Sequence, residues 1–357
     1  MWSWNKVRDE GLKISITGMS WYYKEDFENI KRVLVDGESI GKSYEDWIIR
    51  AEKGYNHLIS KGHLVEKVYI HSKYFPNWCN EKKLELNSRA RLRFVNEIVQ
   101  KKYLEKQQFD ALCPIFLSHN LKNSYEQIAT GVLIEISDIT FLLTAAHVID
   151  KMKYGDILIP TNDGLKNLEG TFSNLEIPKN KTREEDIWDI GYFKLETNFA
   201  HSLHKDIKII DIDDIIFLDD ATQSMIYTFA GYPTSKSKIR PKLAESEPYF
   251  YSGYSVDKEV YSMNGYDRHL HIIVEYRRHL SVTPEGEQFF PPFPRGISGG
   301  GIYVWPDEFQ GQFIPPRRRL VGIIHTYKQN ADLLIGTNIQ AFIKYISINN
   351  PDLISKV

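Results

Sequence analysis

Three short strings of this chain could do chemistry together. They are Thr144-Ala145-Ala146-His147, Asp189-Ile190-Gly191 and Gly296-Ile297-Ser298-Gly299-Gly300. A serine hydroxyl is a poor nucleophile at neutral pH, and it needs a base to take its proton and a third group to orient that base. His147, with small Ala145 and Ala146 before it, can serve as the base. Asp189, at the mouth of an apolar strand, can hold an imidazole N–H and fix its tautomer. Asp186 competes for that role, but the strand starts directly after Asp189 and small Gly191 follows. The glycines around Ser298 allow a backbone shape that bulky residues resist, in which the N–H groups of Gly296 and Ser298 can converge on a developing oxyanion.

The string around Ser298 also fits the nucleophile elbow of α/β-hydrolases, Gly-x-Ser-x-Gly. Chain order excludes it. The elbow needs an acid and then a histidine after the serine, yet only 59 residues follow Ser298 and they hold one histidine, His325.

With 357 residues, 42% hydrophobic and 26% charged, the chain suits two or three globular domains. A formal charge of −2 gives no reason to expect nucleic acid or an anionic membrane as partner. The N-terminus shows neither an apolar h-region nor a small-residue cleavage site, and no apolar run nears the ~20 residues of a membrane span. With only Cys79 and Cys113, a disulfide framework is excluded, though one bridge is not, and a reducing, cytoplasmic location is expected.

The elements that must position the three strings differ along the chain. Ser43-Tyr44-Glu45-Asp46 opens a helix to about Ile59, with Trp47, Ile48, Ala51 and Leu58 inward. Leu64–Ile70 alternates like a strand. A second helix runs from Ser88 to Leu104 with Leu92, Phe94, Val95 and Ile98 as core. Residues 1–108 are therefore expected to form a small α/β or helical N-terminal domain. After about Phe109 short apolar runs recur at Gly131–Ile136, Thr140–Thr144, Asp156–Ile159, Ile190–Leu195, Met225–Ala230, Leu270–Tyr276 and Leu320–His325. Such runs predict a mainly β barrel or sandwich, closed by a helix over Asn338–Ile348. The proline-rich pieces Phe289–Pro294 and Pro315-Pro316 read as turns, and the acidic stretch Asp211–Asp214 with Asp219-Asp220 as a solvated connection between halves.

Two further patterns fall short of a binding site. Asp36-Gly37-Glu38-Ser39-Ile40-Gly41-Lys42-Ser43 approaches a P-loop but has Asp36 where the pattern needs glycine, and Ser43 serves better as a helix cap. His201, His204 and Asp206 come nearest to a metal site and read as loop. No metal and no cofactor are expected.

With its three strings in this order, the chain resembles the trypsin-like, chymotrypsin-fold serine peptidases, of a bacterial intracellular type, over about Phe109 to Ile348. Spacings of 42 residues from His147 to Asp189 and 109 from there to Ser298 suit that family. So do Gly131, Gly231-Tyr232-Pro233 and Val321-Gly322-Ile323.

The resemblance implies a double antiparallel β-barrel of the chymotrypsin type over 109–349, with barrels at about 109–205 and 221–337 and a C-terminal helix. It implies a Ser298–His147–Asp189 triad and an oxyanion hole from Gly296 and Ser298. The substrate's backbone would pair with the strand from Gly322 to Tyr327, with Pro292, Phe293, His325, Thr326 and Tyr327 as substrate-binding residues. The activity implied is hydrolysis of peptide bonds, expected here on a specific intracellular protein, and the architecture with its N-terminal region would suit a stress or anti-phage response. Residues 1–108 would provide regulation or a partner-binding surface. A catalytically silent pseudo-protease that binds protein is the alternative.

Three departures stand out. Ile297 replaces the aspartate that binds a freed N-terminus in cleavage-activated members. His325 replaces a serine that supports the catalytic aspartate, and either weakens that support or substitutes an imidazole hydrogen bond. Tyr327 stands where a glycine keeps the primary pocket open, which with Pro292, Phe293 and Pro294 predicts a shallow pocket for a small or apolar residue. Arg295 and Arg317 to Arg319 would favour an acidic substrate or simply be solvated.

Overall fold

The computed structural model describes residues 16–61, 63–104, 111–119, 124–205, 207–222, 225–240, 243–278, 290–304 and 318–356. The expected boundary at 108/109, Asp206, Phe289, Pro315-Pro316 and Arg317 lie outside these residues.

The first unit is a β–α–β crossover. Strands β1 (Ile16–Trp21) and β2 (Leu64–Tyr69) pair in parallel, which requires a long connection. That connection carries helices α1 (Phe27–Val33) and α2 (Tyr44–Ser60), and α3 (Phe75–Glu81) and α4 (Ser88–Leu104) follow β2. Ser43 caps α2 by accepting the Asp46 N–H at 3.1 Å. Trp47 and Ala51 are buried beneath α2, and Ile48 and Leu58 partly so. On α4 the buried stripe is Ala90, Phe94, Val95 and Val99. Leu92, expected in that core, lies about 100° from the centre of the stripe and is 58% exposed. The segment that approached a P-loop is a short 3₁₀ turn, Gly37–Ser39. The Asp36 carboxylate takes the Arg91 guanidinium at 2.6 and 3.0 Å and the Ser88 N–H at 2.9 Å, a structural ion pair at the start of α4.

The rest is mainly β, in two curled antiparallel half-barrels. The first sheet uses β3 (Leu112–His119), β4 (Ser124–Ile136), β5 (Ile139–Ala145), β6 (Ile157–Thr161), β7 (Gly164–Asn167), β8 (Gly170–Asn174) and β9 (Ile190–Leu195). Their order is β7-β6-β3-β4-β5-β9-β8, and β10 (Ile210–Asp211) adds in parallel to β4. Helices α5 (Ala146–Ile149) and α6 (Thr197–His201) follow β5 and β9. The second sheet takes β11 (Ile226–Gly231), β14 (Tyr249–Tyr254), β15 (His271–Glu275), β16 (Gly301–Val304), β17 (Arg319–Lys328) and β18 (Leu333–Asn338), in the order β14-β11-β16-β17-β18-β15. A hairpin of β12 (Ser237–Arg240) and β13 (Leu243–Ser246) and the short helix α7 (Lys258–Met263) lie within it, and α8 (Ile339–Asn349) closes the chain.

One apolar cluster joins the halves: Val132, Phe141, Leu143 and Tyr192 pack with Tyr232, Tyr303 and Ile323, and with Ile339, Phe342 and Ile346 of α8. Cys79 and Cys113 are buried free thiols in different cores, so no disulfide joins them. Among the described residues no helix is long and apolar enough to cross a membrane.

The first unit docks on the edge of the second sheet. Ile226 and Tyr254 are cross-strand partners that contact its core, and the Tyr254 hydroxyl both accepts the Val65 N–H (2.9 Å) and donates to the Val65 carbonyl (2.8 Å). Val65 is 2% exposed, so losing the hydroxyl leaves both groups unpaired. Tyr254→Phe should cost about 1–3 kcal/mol, read as an earlier urea transition of the fluorescence of Trp21, Trp47 and Trp78. An unchanged transition would show that this contact does not hold the units together.

Candidate active site

Strands β5 and β9 are antiparallel neighbours, with Thr144 opposite Gly191 and Ala145 opposite Ile190. The end of one therefore meets the start of the other, which places His147 beside Asp189. The Asp189 carbonyl accepts the Ala146 N–H at 2.9 Å. Its carboxylate accepts the His147 backbone N–H at 2.9 Å through Oδ1 and meets His147 Nδ1 at 2.5 Å through Oδ2. An ionised carboxylate only accepts, so Nδ1 carries the proton and Nε2 of the neutral ring keeps its lone pair.

Asp189 is 4% exposed and holds φ at +45°, a left-handed conformation that aspartate tolerates better than most residues. Burial pushes its carboxyl upward, but the hydrogen bond and charge of His147 outweigh this and hold it below the usual carboxylate range. Gly191 is needed for space: a Cβ there would sit 2.8 Å from Ile149 Cδ1 and 3.0 Å from Ala146 Cα. Asp186 is engaged elsewhere, by Arg183 at 2.6 Å and the Trp188 N–H at 3.0 Å.

Ser298 is held by Thr130, a residue that motif reading missed. Thr130 Oγ1 donates to the Gly296 carbonyl (2.8 Å) and accepts the Tyr232 N–H (2.8 Å). Its backbone N–H donates to the Ser298 carbonyl at 2.9 Å. Its own carbonyl accepts Thr144 Oγ1 at 2.9 Å, three residues before His147. All of Thr130 and Thr144 is buried. The available signal was a polar side chain inside an apolar run of each strand, Ile128–Leu133 and Phe141–Ala145, since such a group must find a partner.

Two glycines of the serine string are required by the backbone. Gly296 (φ +94°) and Gly299 (φ +84°) are left-handed, and a Cβ on Gly299 would meet the Thr130 carbonyl oxygen at 2.0 Å and Thr144 Oγ1 at 2.2 Å. Ile297 is buried against Gly231 in the core of the second half. The Ser298 hydroxyl donates to the His325 carbonyl at 3.2 Å.

His325 sits at a bulge, where the β17–β18 register shifts between Ile324 and Thr326. The residue is 4% exposed, Nδ1 meets Thr326 Oγ1 at 2.8 Å, and Nε2 has no hydrogen-bond partner among the described residues. The imidazole thus makes no hydrogen bond to Asp189. Burial lowers its proton affinity to a pKa of about 3, with the Asp189 charge opposing and His271 and His147 assisting.

The remaining expected residues gather around Tyr327. Its ring lies edge-on to Phe293 (5.6 Å) and Tyr276 (5.7 Å), and its hydroxyl donates to Asp332 at 3.3 Å. The Pro292 carbonyl accepts the Tyr276 hydroxyl at 2.8 Å, and the Arg278 guanidinium lies over Phe293. The arginine run is not a free basic surface: Arg318 is buried and Arg319 is paired with Asp214. That pair and Arg268 with Asp220 also anchor the acidic connection, expected to be simply solvated. Arg295 is exposed. No group of three or more metal-ligating side chains occurs among the described residues.

No family model and no curated protein matches the chain. Among solved structures it is similar to a Glu endopeptidase, at 16% identity and a TM-score of 0.39 over 70% of this chain and 95% of that one. Tobacco vein mottling virus protease gives 11% and 0.36 over 65% and 77%, and the VesB protease of Vibrio cholerae 13% and 0.39 over 68% and 64%.

Thr130→Val keeps the shape but leaves the Gly296 carbonyl and the Tyr232 N–H unpaired. It should lower unfolding free energy in urea by about 2–4 kcal/mol, and a loss under 0.5 kcal/mol would show that the junction does not depend on it. The buried neutral His325 gives a pH signature. Its folded pKa of about 3 lies below the ordinary 6.5, so only the unfolded chain gains this proton between the two values. Stability therefore falls as pH drops below about 6.5, by about 2 kcal/mol at pH 5 from this residue alone. His325→Asn should remove that part of the loss, and an unchanged acid slope would contradict the assignment.

Proposed function

We propose that the chain is a serine endopeptidase. The observation that carries this reading is the buried Asp189 carboxylate bonded to both the backbone N–H and Nδ1 of His147. That geometry leaves His147 Nε2 as a base, on the side of the first half that Thr130 and Thr144 tie to the Ser298 loop.

In the proposed cycle the Ser298 hydroxyl turns from the His325 carbonyl to His147. Oγ attacks the scissile carbonyl carbon and Nε2 takes the proton, while the N–H groups of Gly296 and Ser298 hold the oxyanion. Collapse expels the amine, which takes that proton, and leaves an acyl-enzyme. Water, deprotonated by His147, then releases the acid and restores Ser298. Asp189 stays ionised and stabilises the imidazolium. The carbonyls of the two oxyanion peptides, Arg295 and Ile297, accept the Thr234 and Gly300 N–H groups at 2.8 Å, and among the described residues neither the Gly296 nor the Ser298 N–H has a hydrogen-bond partner, which supports the role given to them.

Substrate is proposed to be a protein segment extended along His325, Thr326 and Tyr327, its side chain meeting Pro292 and Phe293. The Tyr327 ring packed between Phe293 and Tyr276 favours a small residue there. Residues 109–349 would be the peptidase domain and 1–108 a regulatory or partner-binding domain. The Ser298–His325 hydrogen bond favours a second reading, a silent binding module that keeps the peptidase framework.

A fluorophosphonate probe separates the two. The parent chain should be labelled, Ser298→Ala should not, and His147→Ala should be slowed by at least about 10³-fold. A folded parent that resists labelling would overturn the enzyme reading in favour of the binding module.

A further inference from the structure

Asp189 adopts a left-handed backbone conformation and receives no side-chain bond from His325, so something else must hold it against His147. The second half does so through the peptide groups that precede it. His271 and Thr337 are direct cross-strand partners on β15 and β18, and both are fully buried. His271 Nε2 donates to the Ile187 carbonyl at 2.9 Å, and Thr337 Oγ1 donates to the Trp188 carbonyl at 2.7 Å. The Asp189 carbonyl is held by Ala146 of the first half. Three successive carbonyls are thus fixed, two from across the junction, directly before and at the residue that orients the base.

We propose that His271 and Thr337 are positioning residues that clasp the Ile187–Trp188 segment and thereby aim the Asp189 carboxylate at His147. The side chains suit this role. With Nε2 of His271 donating to Ile187, Nδ1 lies against the Asp267 backbone, 3.2 Å from its N–H and 3.1 Å from its carbonyl, and in the neutral ring it accepts the N–H. Around the ring stand Tyr266, Trp188 and His325, with ring centres at 4.9, 6.2 and 6.3 Å, together with the Asp267 backbone. Burial lowers the proton affinity of His271, with its hydrogen bonds to the Ile187 and Asp267 backbone and the Asp267 charge opposing. Thr337 is β-branched, with one stiff side-chain torsion, which makes it a rigid donor. A small misplacement of an orienting carboxylate is costly, because the proton must move along a well-aligned hydrogen bond.

This inference rests on the peptidase reading, and the fluorophosphonate labelling rate tests it without a known substrate. Thr337→Val removes the donor and keeps the shape; it should slow labelling on the order of tenfold or more, while Thr337→Ser, which restores the hydroxyl, should recover to within a few-fold. In an Asp189→Asn background, followed over long incubations, Thr337→Val should add little, since the carboxylate it aims is gone. Parental labelling by Thr337→Val, a Thr337→Ser chain as slow as Thr337→Val, or an equal slowing with and without Asp189 would each overturn the proposal. If Thr337→Val does not fold, His271→Gln, which keeps an N–H donor, is compared with His271→Leu in the same way. An unlabelled parent removes the peptidase reading itself, whereas a labelled parent with an indifferent Thr337→Val removes only the clasp.

Discussion

Thr130 is the point at which the two halves become one site. Its side chain and backbone use both a donor and an acceptor each: to the Gly296 carbonyl and from the Tyr232 N–H, to the Ser298 carbonyl and from the Thr144 hydroxyl. Thr130 and Thr144 are fully buried and Tyr232 nearly so, so their groups would be costly to leave unpaired and each bond fixes a position rather than merely adding stability. The strand that leads to His147 and the loop that carries Ser298 are registered against each other through one residue. The glycine at 299 follows from this, because the chain there passes so close to Thr130 and Thr144 that no side chain fits.

Labour is divided across that junction. The first half holds His147 and Asp189 by the antiparallel pairing of β5 and β9, and the second holds Ser298. Yet the second half also grips the approach to Asp189, through His271 and Thr337, and α8 returns to the first sheet where Tyr345 meets Tyr192. The N-terminal unit abuts the same framework. Its Val65 is bonded to Tyr254 on β14, whose neighbour β11 leads into Tyr232 and so to Thr130.

Where reading and structure part, side chains crossed from one element to another. Leu92 fits a helical stripe in sequence, but the stripe that meets β1 is centred elsewhere and leaves it in water. Arg318 and Arg319 look like a basic surface run, whereas one is buried and the other pairs with Asp214. His325 falls where the resemblance places a supporting serine, and a β-bulge turns it so that its imidazole meets Thr326 and not Asp189. A bulge has no reliable local signature, because it is set by how two strands register.

What the sequence determined by itself is everything encoded locally: the short apolar runs of the two sheets, the Ser43 cap, the glycines that permit left-handed turns, and the three strings with their order. Tertiary structure decided which polar groups meet across the fold: the partners of Thr130, the reach of His271 and Thr337 to the Ile187 and Trp188 carbonyls, and the isolation of His325 Nε2. Those pairings join residues as much as 168 positions apart, as Thr130 and Ser298 are. A buried polar side chain announces that it needs a partner, but only the packed fold selects which one it finds.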